Sequence, residues 1–363
     1  MLHPKKIAIN GKFLSAEPTG VHRVAEELIR NAYAIIDADH HMSEQLQLEL
    51  LVPSDGMENA ERLGLPYRIV GPFTGIAWEQ LTLPLHAGGR TLLSLCNVGP
   101  VLSRNAVTMF HDAQVHIAPD SYSPMFRLWY HFHQPICGKR HRRILTVSDY
   151  SREQLDQYKV ANRDKTKVIL NGVDHVLETA ADDEILSELE LERNGFAVAL
   201  ANIQPHKNIG LLLKVFSRPE LQNLKLVLFG SATRDMFQSA GHLVPSNVIF
   251  AGRVSDGELR SLYANALCLA FPSRTEGFGL PPLEAMTTGC PAIVAPEGAL
   301  PQVCGDGAIY AGADDLDAWV NAISLMSSDG SYLAKIRAAG LSQSAAFTWK
   351  RAASQMVEYL LAL

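Results

Sequence analysis

No stretch of the 363-residue chain holds about 18 consecutive apolar residues, so no span across a bilayer is expected. The opening MLHPKKIAIN lacks the apolar core of a signal peptide, and a cytoplasmic chain is expected. Cysteine is scarce. Cys96, Cys137, Cys268, Cys290 and Cys304 form no CxxC pair, and no Cys/His spacing suits zinc. They read as small buried hydrophobes in a reducing compartment. Positive charge is not in excess either. A net charge of -6 argues against a general nucleic-acid binder. No GxGxxG follows the first strand-like run, where INGKFLSAEPTG stands instead, which disfavours a nicotinamide dehydrogenase. No DxD follows an apolar strand. Asp37 to Asp39 comes after a helical stretch, and Asp315 to Asp317 opens one, where capping accounts for it. No metal and no cofactor are implied. Low-complexity tracts and repeats of fixed period are absent as well.

What is present is a globular composition, 47% hydrophobic and 19% charged, in a chain long enough for two domains. Short apolar runs alternate with amphipathic ones. KKIAIN, LQLELLVP, YRIVG, TLLSLCN, AVTMFHD and RILTVSD read as buried parallel strands. GVHRVAEELIRNAYAII, with Val21, Val24, Ala25, Leu28 and Ile29 at helical spacing, reads as an intervening helix. The acidic stretch 174–194 carries no strand signal and marks a domain boundary. GFAVALAN then restarts the series, followed by LKLVLFGS, NVIFAGR, ALCLAFPS, PAIVAP and GAIYAGA. Ser255 with Glu258 three residues on opens a further helix as a capping box. The expectation is an α/β protein of two doubly wound, Rossmann-like domains, residues 1–175 and 176–347, facing each other across a cleft. The final helix, 348–363, is expected to pack back on the first domain.

The stretch PSRTEGFGLPPLEAMTTGCPAI, residues 272–293, holds the chemistry. Pro281 and Pro282 fit only the start of a helix, where a missing N–H costs nothing. A helix is therefore expected from about Pro281, with Gly289 as its stop. Glu276 lies in the loop above its mouth, and Glu284 is expected in its first turn, leaning back. Gly277 and Gly279 leave amides unobstructed. A helix N-terminus with a glycine-rich loop suits a phosphate, and carboxylates suit the hydroxyl pairs of polyols. A sugar nucleotide carries both. The bland alternative is a helix-dipole acid beside a solvated one.

EGFGLPPLE resembles the E-x7-E element of the retaining glycosyltransferases of family 4, which have the GT-B fold and include many mannosyltransferases. TGVHRVAEELI, MFHDAQV, TVSDYSREQL, VILNGVD, ANIQPHKN, FAGRVSDGELRSLYANA and PAIVAPEGALPQVCGDGA resemble further landmarks of that family, in the same order and over nearly the whole chain. The resemblance implies that the first domain, 1–175, binds the acceptor and the second, 176–347, the sugar nucleotide, with Glu284 holding the ribose hydroxyls and Glu276 those of the donor sugar. It implies that Gly277, Phe278, Gly279 and Leu280 offer backbone amides, and that Lys207 neutralises the leaving diphosphate. Gly20, in the loop between the first strand and the first helix, is a donor-binding candidate whose small size lets a phosphate or the acceptor approach the backbone. His111 points at the donor sugar, and Asp112 orients it or faces the acceptor. Many relatives carry arginine at the positions of Asn202 or His206. Its absence here leaves His206 as a candidate second phosphate anchor.

The implied activity is retaining, metal-independent transfer of a hexosyl group from a nucleoside diphosphate sugar to a hydroxyl of a glycan or lipid-linked acceptor, in polysaccharide or glycolipid synthesis. Mannose from GDP-mannose is the favoured donor, with UDP-glucose or a dTDP- or GDP-deoxysugar as alternatives. A nucleotide-sugar epimerase of the same architecture and a noncatalytic sugar-nucleotide-binding subunit are the rival classes. Lys139, Arg140, Arg142 and Arg143, close to the aromatics of FRLWYHFHQPICGKRHRR, suggest peripheral contact with the inner face of an anionic membrane or with a lipid-linked acceptor. A solvated helix face is the plain alternative.

Overall fold

The structure is a computed structural model, and it describes residues 4–363. The chain divides into two compact units. The first takes residues to Ile117, Ser123–Gly172 and Thr348–Leu363. The second takes Ala118–Tyr122 and Val173–Phe347.

The first unit is built on seven parallel strands: β1 Lys5–Asn10, β2 Leu46–Val52, β3 Tyr67–Ile69, β4 Thr91–Ser94, β5 Ala106–Met109, β6 Arg143–Thr146 and β7 Thr166–Val168. Their order is β3-β2-β1-β4-β5-β6-β7. In β1, Ile7 pairs with Leu48 on one side and Thr91 on the other. Ile7, Ala8 and Ile9 are fully or almost fully buried, as a strand covered on both faces requires. The second unit has six parallel strands: β8 Phe196–Leu200, β9 Lys225–Phe229, β10 Val248–Gly252, β11 Cys268–Phe271, β12 Ala292–Val294 and β13 Ala308–Tyr310. Their order is β10-β9-β8-β11-β12-β13. Every run read as a strand in the sequence becomes one. β7 is an addition, short and with its central Lys167 exposed.

Helix Trp349–Ala362 buries Trp349, Ala352, Ala353, Met356, Val357 and Leu360, one stripe at helical spacing. It packs on helix Gly20–Ala38 within the first unit. Gly172 makes the return of the chain feasible, since a Cβ there would lie 2.1 Å from the Trp349 amide nitrogen. Lys5 Nζ donates to the Leu361 carbonyl at 2.7 Å and complements that helix end. Ser255 and Glu258 form the expected capping box. Asp39 and Asp315 are both N-caps, accepting from the amides of His41 and Ala318 among others.

Candidate functional site

In the second sheet β8 and β11 are neighbours, and the chain runs from them toward opposite edges. Such a reversal opens a crevice at the carboxyl ends of the two strands, where open α/β sheets take their ligands. The loops that leave there are 201–208 and 272–279. They are stitched together. The Arg274 amide donates to the His206 carbonyl at 2.8 Å, and Asn208 Nδ2 donates to the carbonyls of Pro272 (3.2 Å) and Ala313 (2.8 Å). The result is that Lys207 Nζ meets Glu276 Oε1 at 2.7 Å, with side chains only 15% and 10% exposed.

Glu276 is held from a third segment as well. The Ala299 amide donates to its carbonyl at 2.9 Å. Gly298, at φ 64°, lies so close that a Cβ would sit 2.5 Å from the Glu276 nitrogen. The helix after the loop spans Leu280–Thr287, with Gly279 at its N-cap in a left-handed conformation, φ 105°. The amides of Phe278, Gly279 and Leu280 make no hydrogen bond among the described residues, and Pro281 and Pro282 have none to offer. The Phe278 ring is buried edge-on against Phe347, so this residue presents backbone, not side chain.

Glu284 is the fifth residue of this helix, one residue past the first-turn position expected. The helix starts a residue earlier than the prolines alone suggest, because Leu280 already has helical geometry. Glu284 Oε1 lies 3.3 Å from His175 Nε2, and both side chains are largely buried. His175 follows NGVD in the turn Asp174–Leu177 and was not singled out in the sequence. The buried Tyr263 hydroxyl has no hydrogen-bond partner, and burial first and Glu284 second push its pKa well up.

His206 requires a correction. Its Nδ1 lies 2.7 Å from Ser121 Oγ, its ring stacks on Tyr122, and its Nε2 is buried without a partner. Burial first and the Lys207 charge second lower its pKa to about 4, so it is neutral at pH 7 and supplies no cation for a phosphate. Asn202 is a turn residue, its Oδ1 accepting from the Gln204 amide at 2.8 Å. A guanidinium does reach this loop, from Arg274, but it is paired with Asp314. A cavity of about 540 Å³ borders it, lined by Gln204, Pro205, Lys214, Arg274 and Asp314. A larger one, about 820 Å³, is lined by Leu213, His242 and Asn247 and by none of the candidate residues.

The remaining candidates belong to the first unit. His111, just past β5, is 5% exposed and bonds through Nε2 to the Leu95 carbonyl at 2.8 Å. Burial lowers its pKa to about 4. Asp112 Oδ1 accepts from the Gln114 amide at 2.9 Å. Gly20 is not in a loop but is the first residue of helix Gly20–Ala38. Lys139, Arg140, Arg142 and Arg143 are exposed at the end of helix Pro124–Arg140 and just beyond it. Arg142 donates to the Leu363 carbonyl oxygen.

Two doubly wound parallel-sheet units define the GT-B class of glycosyltransferase fold. Comparison with solved structures agrees. The chain superposes on Anabaena Alr3699/HepE, solved with UDP and glucose, at a TM-score of 0.73 and 18% identity, covering 99% of this chain and 100% of that one. It superposes on WaaG, a glycosyltransferase involved in lipopolysaccharide biosynthesis, at 0.68 and 12% identity, covering 98% and 99%. In sequence, residues 182–343 match the family described as glycosyl transferases group 1. The chain is 31% identical to O-antigen chain mannosyltransferase B of Escherichia coli over 265 residues, 69% of each protein. It is 29% identical to O-antigen chain mannosyltransferase RfbU of Salmonella typhimurium over 254 residues, 68% of this chain and 67% of that one. The chain belongs to the group 1 glycosyltransferases and is a glycosyltransferase.

Proposed function

We propose that the protein transfers a mannosyl group from a nucleoside diphosphate sugar, GDP-mannose in the first instance, to a hydroxyl of a glycan or lipid-linked acceptor during assembly of a cell-surface polysaccharide. The O-antigen mannosyltransferases among its relatives support the sugar and the setting. The observation that carries the donor reading is the contact of Lys207 with Glu276 beside the unpaired amides of Phe278, Gly279 and Leu280. A cation, free amides and a carboxylate suit a diphosphate joined to a polyol. In this reading Lys207 and the amides stabilise the charge that grows on the leaving diphosphate. Glu276 accepts from the sugar hydroxyls, and Glu284, oriented by His175, accepts from the ribose. Transfer proceeds with retention through an oxocarbenium-like state, the departing phosphate taking the acceptor proton. No metal ion is assigned a part.

We also assign the first unit a peripheral contact with an anionic membrane at the cytoplasmic face. Among the described residues no helix is long and apolar enough to cross one. On helix Pro124–Arg140, however, Met125, Leu128 and Phe132 are 83%, 73% and 68% exposed, and the helix ends in Lys139 and Arg140. An apolar stripe beside basic side chains is the composition of an interfacial helix.

The test is a thermal-shift panel of GDP, UDP, dTDP and their sugars, followed by transfer and hydrolysis assays with the nucleotide that stabilises most. GDP-mannose is expected to lead, and product is expected only with a glycan or lipid-linked acceptor. An isomerised sugar nucleotide released without acceptor would make the protein an epimerase. Binding without any turnover would make it a noncatalytic subunit. Glu284→Ala binding the preferred nucleotide as tightly as the parent would refute the ribose assignment.

A further inference from the structure

The turn that carries Lys207 has little structure of its own. Pro205–Lys207 is a single 3-10 turn. Gln204, which leads into it, makes no side-chain cap, and Asn208 closes it in the left-handed region at φ 57°. A non-glycine residue keeps that backbone only where its surroundings hold it. One flank is held by the loop after β11, through the hydrogen bonds of Arg274 and Asn208. The other flank is held by a segment distant in sequence.

That segment is Ala118–Tyr122. The chain leaves the first unit after Ile117, contributes these residues to the second, and returns at Ser123. The segment is preformed. The Ser121 amide donates to the Ala118 carbonyl and the Tyr122 amide to the Pro119 carbonyl, both at 3.1 Å. The Pro119 ring fixes φ between them. The segment meets the Lys207 turn three times. Gln204 Nε2 donates to the Ser121 carbonyl at 3.1 Å, Ser121 Oγ lies 2.7 Å from His206 Nδ1, and the Tyr122 ring stacks on the imidazole, 17° from parallel.

An imidazole is a costly way to fill this space. It is 4% exposed, and its Nε2 has lost water without gaining a partner. What the ring supplies is a rigid link, planar and fixed through Nδ1, one residue ahead of Lys207. It also stays neutral beside the ammonium, as burial and the Lys207 charge dictate. A lysine ammonium rides on a flexible four-carbon stem, so its placement depends on how firmly its backbone is held. With the turn held on both flanks, Lys207 Nζ reaches Glu276 Oε1 at 2.7 Å.

We propose that Ser121 and Tyr122 are positioning residues for Lys207, clamping the donor-binding turn through the His206 ring. In its bearing on the donor, the clamp rests on the transferase reading above. Neither residue is assigned a contact with the donor.

The experiment uses the full chain and the variants Ser121→Ala, Ser121→Thr and Tyr122→Leu. Both positions are only partly buried, and melting curves check that each variant folds. The first readout needs no nucleotide. Lysines are labelled with acetic anhydride and quantified by mass spectrometry, with the exposed Lys335 and Lys350 as internal references. Lys207, paired and 15% exposed, is expected to label slowly. Ser121→Ala should raise its labelling by about 2–10-fold, the weight of one hydrogen bond. The second readout is transfer. In Ser121→Ala, kcat should fall by about tenfold or more while donor KM moves by less than about threefold, since a misplaced charge is felt chiefly in the transition state. Ser121→Thr keeps the hydroxyl and should restore both readouts. Tyr122→Leu should move both in the same direction as Ser121→Ala, and parental values there would remove Tyr122 from the clamp. Parental labelling and turnover in Ser121→Ala, a loss that Ser121→Thr does not restore, or a loss that merely tracks unfolding overturns the proposal. If no nucleotide binds the parent while Lys207 labelling still depends on Ser121, the transferase reading fails and the clamp stands. If the parent turns over and Ser121→Ala changes neither readout, the clamp alone falls.

Discussion

Replacing Lys207 by methionine separates what the Lys207–Glu276 pair does for the fold from what it does for the reaction. At 2.7 Å and an effective dielectric of about 20, two unit charges attract by about 6 kcal/mol. Desolvation and the ordering of two partly exposed side chains return most of that, so the net cost of removing one partner is expected near 2 kcal/mol. For a unit of this size that lowers the melting temperature by about 4–8 °C. The fall has a specific cause, a carboxylate left largely buried without its cation, so adding Glu276→Gln should recover most of it. Turnover should behave differently. Removing a preorganised charge from the leaving diphosphate costs about 10²–10³ in kcat, and neutralising Glu276 does nothing to restore it. The assay is therefore melting and single-turnover transfer on parent, Lys207→Met and the double variant. If Lys207→Met keeps turnover within about threefold of the parent, a change well below the loss of one oxyanion-type donor, the phosphate role is refuted.

Further outcomes follow from other contacts. Gly298→Ala places a Cβ 2.5 Å from the Glu276 nitrogen at a positive φ, so a destabilisation of about 1–3 kcal/mol and weaker donor binding are expected by melting and titration. His175→Ala should weaken nucleotide affinity by about tenfold, the cost of losing a hydrogen bond to a charged group, while leaving turnover at saturation nearly unchanged; equal affinity would remove His175 as a positioning residue. His111 and His141 are buried and held near pKa 4. Their folded values lie below the unfolded one, so the unfolded chain takes up protons first. Stability of the first unit should be complete above about pH 6.5 and fall by about 1.4 kcal/mol per pH unit for each as pH drops toward 5. Melting across that range checks it, and His141→Gln should reduce the slope. Lys139→Glu/Arg140→Glu should cut co-sedimentation with anionic vesicles by about 30-fold or more, at about 1 kcal/mol for each basic residue lost; unchanged co-sedimentation would remove the membrane assignment.

The architecture was legible because parallel strands buried on both faces read as unbroken apolar runs, as FAVAL in β8 and CLAF in β11 do. β7 escaped because TKV is short and half polar. The excursion Ala118–Tyr122 escaped because no shift in composition marks it. Glu276 and Glu284 could be picked out from loop and helix-start chemistry, and Lys207 from the family resemblance. Their partners could not. His175 meets Glu284, and Ser121 meets His206, across long intervals of chain that no local pattern encodes. The charge of His206 was illegible for the same reason, since its burial depends on Ser121 and Tyr122.

The pairing of Lys207 with Glu276 has a consequence for selectivity. Lys207 Nζ and Glu276 Oε1, at 2.7 Å, satisfy each other. A free phosphate would have to pull the lysine from its carboxylate, and a free monosaccharide would have to do the reverse. Neither fragment alone compensates the group it orphans. In the proposed donor reading, a ligand bearing anion and polyol on one framework engages both at once, and the closed pair becomes a two-key lock that admits the intact donor ahead of its pieces.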